Sequence, residues 1–289
     1  MRQNHRFDIT EYTITSAEVN KAYKIALLAD IHDALLDGVM ESVKSFAPDI
    51  IAINGDLINN YMFLKVSGFK AKLRFLLFGR DDEHYNGHIT SSYNGEQVLR
   101  ECSSICRTFF SLGNHERRLN FEDVQAIHDS GVTLLENDFV HFGDLCIGGQ
   151  SSLQFGEICG ERIAEGDDDS ILNKRREQNY SADAETRWLD EFEKQEGFKL
   201  LLCHHPEYYE KYLKNRTVDL ILSGHAHGGQ IRFLNRGLYC PDEGFLPQYT
   251  AGFIDTKMIV SRGLANPYKY LPRINNRFEL VFINLMTKK

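Results

Sequence analysis

The stretch Asp219-Leu220-Ile221-Leu222-Ser223-Gly224-His225-Ala226-His227-Gly228 decides how this 289-residue chain is read. Its first half is a short apolar run of strand length. Its second half sets two histidines one residue apart, with small residues before, between and after them. An i, i+2 pair cannot lie on one helical face, but it can bracket a point beyond a strand's end, as ligands around a metal centre do. The carboxyl ends of strands are also where open α/β sheets bind ligands. Alone, a His-x-His is equally well two polar residues in a tight turn.

Four other apolar runs end in the same way. Lys24–Ala29 leads into Asp30-Ile31-His32, and Asp49–Asn54 leads into Gly55-Asp56. Arg107–Leu112 leads into Gly113-Asn114-His115-Glu116, and Lys199–Cys203 leads into His204-His205-Pro206. Short apolar runs separated by amphipathic helical stretches are the mark of strands buried in a core. Glycines beside the polar residues let the backbone turn tightly and leave room for a ligand. Five such endings on the same side of a sheet would form a site.

Asp30, His32, Asp56, Asn114, His204, His225 and His227 offer seven oxygen or nitrogen ligands and need no thiolate. That is too many for one tetrahedral zinc. It suits two five- or six-coordinate ions that share a carboxylate and a water. Mixed imidazole and carboxylate ligation favours manganese, iron or zinc over magnesium alone. Two such ions, about 3.5–4 Å apart, clamp a phosphoryl group and generate a hydroxide between them.

Composition bounds the alternatives. With 42% apolar residues the chain can bury a substantial core, and one domain over 1–289 is expected. The net charge of -8 argues against broad binding to nucleic acid or acidic membranes. A phosphorylated small substrate stays compatible, because two divalent cations would invert the local field. None of the six cysteines forms Cys-x-x-Cys, and the chain is too long to be a disulfide scaffold. Reduced thiols and a cytoplasmic setting are therefore expected. No apolar run approaches the ~20 residues of a membrane span, and no apolar stretch follows the basic N-terminal residues as in a signal peptide. Only peripheral association with a membrane stays open.

Along the chain, residues 7–20 alternate like an edge strand. Residues 36–47 carry apolar side chains at helical spacing until Pro48 ends them. Residues 61–95 read as an excursion, either a lid or a surface loop of solvated charges. Glu96 to Ile105 suits a helix, and Trp188, Leu189 and Phe192 mark another from Asp183 to Glu193. The Asp167-Asp168-Asp169 run lacks EF-hand spacing and reads as a solvated loop. Beyond residue 229 the pattern is strand-like at Gln230–Phe233, Tyr249–Phe253, Lys257–Ser261 and Phe278–Asn284.

Asp-x-His, Gly-Asp, Gly-Asn-His-Glu, a histidine ahead of a proline and Gly-His-x-His, in that order, resemble the calcineurin-like metallophosphoesterases. The resemblance runs over residues 22–285. Gly228-Gly229-Gln230-Ile231-Arg232 and Ser261-Arg262-Gly263-Leu264 look like a bacterial, phosphodiesterase-like branch, many of whose members carry an N-terminal membrane segment. The resemblance implies an α/β fold, a four-layer αββα sandwich of two mixed sheets flanked by helices. It also implies phosphoester hydrolysis, favouring phosphodiesters, by a metal-bridging hydroxide. Asp30, His32 and His227 would hold the first metal, and Asn114, His204 and His225 the second. Asp56 would bridge them, and His115 would act on the substrate as acid or phosphate binder.

This chain departs from the pattern at Glu116, where the family usually has aspartate. The longer carboxylate is expected to orient His115. The loop Ala265–Arg277 is longer than usual. Arg262 and Arg273 would each bind a phosphate oxygen or form a surface salt bridge. The paired glycines at 228–229 would open room for a second ester substituent or permit a turn into the next strand. A phosphomonoesterase on the same site is the alternative activity. A non-catalytic scaffold is disfavoured because the whole ligand set is kept, and a nuclease because the lysines are dispersed.

Overall fold

The computed structural model describes residues 7–36, 38–59, 89–90, 92, 94–116, 119–152, 186–240, 244–266 and 271–288. Residues 61–88 of the expected excursion, Cys159, the Asp167–Asp169 run and residues 183–185 lie outside these.

In chain order the strands are β1 (Phe7–Ser16), β2 (Tyr23–Leu28), β3 (Ile50–Asn54), β4 (Arg107–Ser111), β5 (Thr133–Leu135), β6 (Asp138–Phe142), β7 (Leu145–Gln150), β8 (Phe198–Cys203) and β9 (Leu220–Ser223). There follow β10 (Arg232–Phe233), β11 (Arg236–Gly237), β12 (Tyr239–Cys240), β13 (Gly244–Phe245), β14 (Gly252–Ile254), β15 (Met258–Val260) and β16 (Phe278–Thr287). The α-helices are α1 (Val39–Phe46), α2 (Gly95–Ile105), α3 (Phe121–Asp129) and α4 (Leu189–Phe192).

Two six-stranded sheets result, ordered β1-β16-β2-β3-β4-β5 and β14-β15-β9-β8-β7-β6. Both are mixed. β2 to β5 run parallel, with β16 antiparallel to β2. β7, β8, β9 and β15 run parallel, with antiparallel β6 and β14 at the edges. β1 lies at an edge, as its alternation predicted, paired in parallel with β16.

Successive residues of each inner strand serve opposite cores. Ile25 and Leu27 of β2 pack with Leu200, Leu202 and Leu222 of the other sheet. Ala26 and Leu28 face Val39, Met40, Val43, Leu99 and Ile127 of α1, α2 and α3. On the far side, Leu201, Ile221 and Val260 meet Leu189 and Phe192 of α4. Strands covered on both faces must be apolar throughout, which is why they read as unbroken runs. Three cores between four layers make the αββα sandwich.

The helix over 36–47 begins at Val39 and ends before Ala47, whose left-handed φ of 50° closes it ahead of Pro48. The Asn120–Asp123 capping box starts α3. No helix among the described residues is long and apolar enough to cross a membrane, and Cys102, Cys106, Cys146, Cys203 and Cys240 are free thiols.

The strand ends that carry the polar clusters meet across the sandwich. The Asn54 side chain donates to the Leu222 carbonyl of the opposite sheet at 2.7 Å. His204 Nδ1–H donates back to the Asn54 carbonyl at 2.8 Å. Asp30 and Ile31 amides donate to the Gly55 and Asp56 carbonyls, joining the turns after β2 and β3.

Candidate metal centre

Five of the expected ligands have left-handed backbones: Asp30 (φ 53°), His32 (46°), Asp56 (53°), His225 (64°) and His227 (47°). Residues with side chains visit this region rarely, at a cost of order 1–3 kcal/mol each. Asp and His tolerate it better than most. The sharp turns lift these side chains off the strand ends into a common space. Two glycines permit the close approach. A Cβ on Gly55 would lie 2.3 Å from His204 Nδ1, and one on Gly113 would lie 2.4 Å from Asp56 Oδ1.

The side chains form two ligand groups. Asp30, His32, Asp56 and His227 present atoms within 4.8 Å of one another, and so do Asp56, His204 and His225. Asp56 belongs to both. Its Oδ2 lies 3.2 Å from His204 Nε2 and 3.7 Å from His32 Nε2. Asp30 Oδ1 lies 3.6 Å from His227 Nε2. The Nε2 atoms of His32 and His227 face each other at 3.3 Å. Adjacent ligands on bonds of about 2.1 Å stand about 3 Å apart, so these spacings suit a shared cation.

Other details fit a metal. Because His204 Nδ1–H donates to Asn54, Nε2 is the ring atom turned to the cluster. Asn114 lies just beyond β4, and its Oδ1 is buried with no hydrogen-bond partner among the described residues. A buried carbonyl oxygen left so is costly unless something supplies positive charge. The neighbouring His205 turns away. Its Nδ1–H donates to Glu207 Oε1 at 2.8 Å, and its Nε2 lies 3.0 Å from Ser152 Oγ. His205 and Glu207 with His225 make a third group of potential ligands. Their hydrogen bonds make it a support packed behind His225, whose ring centroid is 4.2 Å from that of His205.

His115 stands beside the cluster. Its Nε2 is 3.8 Å from Asp56 Oδ2, and its ring meets His32 edge to face at 4.6 Å. Its side chain is 14% exposed, against 0–4% for those of His32, His204 and His227, so it is the one reached from solvent.

One expectation is corrected, at Glu116, and Arg262 takes the salt-bridge alternative. Glu116 does not bond the His115 ring; both its oxygens accept backbone amides of the turns at Gly113 and Asp56–Ile58. Arg262 pairs with Asp8 and Glu279, each at 3.2 Å. Arg273 donates to the His227 carbonyl at 2.8 Å and to those of Ala265, Gly263 and Arg262. Both guanidinium groups are thus engaged by protein atoms. The paired glycines admit protein as well. A Cβ on Gly228 would lie 2.2 Å from Asn276 Oδ1, and one on Gly229 would lie 2.3 Å from Gly237 Cα.

Sequence reading also passed over two asparagines. Asn276 Nδ2 donates to the His227 and Gln230 carbonyls, holding the last ligand turn. Asn54 joins the sheets, and its signal was available as the one polar residue inside an apolar run.

Burial sets the electrostatics. Burial pushes the Asp30 carboxyl up to about 6, partly offset by His204 and reinforced by Asp56. Burial alone would raise Asp56, but the His204 and His115 imidazoles hold it well below the carboxylate range. Burial would lower His204, but Asp56 and then Asp30 push it up to about 10. Burial holds His32 and His227 well below the imidazole range, aided by His115 at His32 and by His32 and Arg273 at His227. Neutral imidazoles beside anionic carboxylates are the forms that bind metal.

The family described as calcineurin-like phosphoesterase matches residues 23–229. Among curated relatives, the uncharacterized protein YpbG of Bacillus subtilis is 28% identical over 74% of this chain and 65% of its own length. An uncharacterized metallophosphoesterase of Helicobacter pylori is 28% identical over 77% of this chain. This chain spans only 49% of that relative. The phosphodiesterase YaeI of Escherichia coli is 24% identical over 97% of this chain and 88% of its own. The chain therefore carries a buried Asp/His cluster with the donor atoms of a metal site, and it belongs to the calcineurin-like phosphoesterases.

Proposed function

We propose that this protein is a dinuclear metal-dependent phosphodiesterase acting on a small phosphoester. The observation that carries this reading is Asp56, whose carboxylate belongs to both ligand groups. Asp30, His32 and His227 would hold one ion, and Asn114, His204 and His225 the other. Asp56 lies between them. The oxygen and imidazole donor set suits manganese, iron or zinc. When bound, such a pair supplies Lewis acidity to phosphoryl oxygens and acidifies water.

The chain's own residues do the rest. Asp56 fixes the spacing of the two ligand groups. His115, the most open of the cluster histidines, donates a proton to the departing ester oxygen. The strained turns hold the ligands ready, so little rearrangement accompanies binding. Preference for a diester rests on the likeness to YaeI over nearly the whole chain. It does not rest on space at the paired glycines. Cleavage of monoesters is the second activity this site would support.

Elemental analysis of the metal-loaded protein is expected to give two ions per chain. Asp56→Ala is expected to lose both, and His32→Ala mainly one. A saturated stoichiometry of one in the wild type would sink the paired centre.

His115→Ala is expected to keep both ions and lose about 10²–10⁴-fold in kcat on esters with poor leaving groups. Nitrophenyl esters, whose leaving group needs no proton, are expected to lose much less. Equal losses on both kinds would mean that His115 positions the phosphate instead.

With manganese present, bis-nitrophenyl phosphate is expected to show a higher kcat/KM than nitrophenyl phosphate. A clear monoester preference would overturn the diesterase reading and leave the metal site standing.

Ion binding is also expected to release protons. Asp30, raised to about 6, and His204, raised to about 10, both hold protons in acid that an ion must displace. Affinity for manganese should therefore rise with pH, by about tenfold per unit for each proton displaced. The slope should be steeper below pH 6, where both are displaced, than at pH 7–8, where only the His204 proton is. Titration calorimetry in buffers of different protonation enthalpy reads this directly, and a flat profile from pH 5 to 8 would contradict it.

A further inference from the structure

Glu116 is 1% exposed and is outside the ligand set, yet it contacts both turns that frame Asp56. Its Oε2 accepts the Gly113 amide at 2.8 Å and the Asp56 amide at 2.9 Å. Its Oε1 accepts the Leu57 amide at 2.8 Å and the Ile58 amide at 3.3 Å. One carboxylate thus gathers four amides, three from the turn after β3 and one from the turn after β4. The contact is returned. Asp56 Oδ1 accepts the His115 amide at 2.9 Å. Each acid binds the backbone beside the other, in the manner of a capping box laid across two loops.

We infer that Glu116 is a positioning residue for the metal pair: this reciprocal clasp sets where the Asp56 carboxylate stands relative to Asn114 and His115. The inference rests on the two-ion reading above. The Gly55–Asp56 turn is left-handed at both residues, with φ of 74° and 53°, so it needs such a restraint to persist. Gly113 passes so close to Asp56 that small shifts of one turn displace the other. Glutamate has the reach and the two acceptor oxygens that the task requires. Glutamine would set its NH₂ group against backbone N–H donors. Aspartate is one methylene shorter and would reach only one turn. Glu116 belongs to none of the ligand groups, so its effect on a bound ion would pass through Asp56.

The test compares wild type, Glu116→Gln and Glu116→Asp in the full chain. Circular dichroism and thermal melting of metal-free protein report the fold. Calorimetry reports the affinity of each manganese ion, and electron paramagnetic resonance reports the spin coupling between the two. Glu116→Gln is expected to fold, to bind both ions roughly 10–100-fold more weakly, and to show altered coupling. Glu116→Asp is expected to fall between it and wild type. His32→Ala is the contrast, weakening mainly one ion. If Glu116→Gln only lowers the melting temperature while both affinities and the coupling match wild type, Glu116 is a structural residue and the inference fails. Should Glu116→Gln not fold, Glu116→Asp decides by the same two readouts. If wild type itself binds a single ion, the paired centre falls, and the role of Glu116 is judged by that ion's affinity across the three proteins.

Discussion

The position of the Asp56 carboxylate is the constraint on which the rest of the site depends. It touches imidazoles from both sheets, His204 at 3.2 Å and His32 at 3.7 Å. That is possible only because two turns pass each other with no side chain between them. A single methyl group on Gly113 would lie 2.4 Å from its Oδ1. The pairing of parallel strands β3 and β4 sets this approach, and the Asn54 bridge to Leu222 keeps the second sheet in step.

The site concentrates conditions that folding alone would avoid. Five left-handed ligand residues and several buried ionisable groups share one small volume. Desolvation and like charges force His32 and His227 neutral, while Asp56 stays anionic between imidazoles. Cations would relieve this electrostatic conflict and satisfy the exposed lone pairs. Such local strain persists only where the surrounding structure over-determines it. The three apolar cores supply that rigidity, because each inner strand is held on both faces.

Polar residues near the ligands turned out to build the walls. Arg273 and Asn276 both donate to the His227 carbonyl, so the last ligand turn is held from two sides. Arg262 ties the turn after β15 to β1 and β16 through Asp8 and Glu279. Glu116 plays the same part for Asp56. A long charged side chain near an active centre invites a substrate-binding role, but the carbonyls and amides of sharply turned backbone need partners as well. Here that need is met first.

The αββα expectation came through the resemblance carried by the order of the motifs; sequence by itself determined the positions of β2, β3, β4, β8 and β9 and the ligand candidates. Each of these is written locally: an unbroken apolar run marks a strand covered on both faces, and the polar residues just past it must lie at the strand's end. The helix stop at Pro48 and the edge alternation of residues 7–20 are equally local. The region 121–150, with α3 and β5 to β7, was passed over, since β5 is only three residues long and β6 is half-exposed. The resemblance already favoured His204 over His205 as the ligand, and the tertiary structure adds the reason, since His205 is turned to Glu207 and Ser152. Only the tertiary structure decided where Glu116, Arg262 and Arg273 point. Their partners lie up to 254 residues away in sequence, and long flexible side chains choose among such partners by distance and geometry that no local pattern encodes.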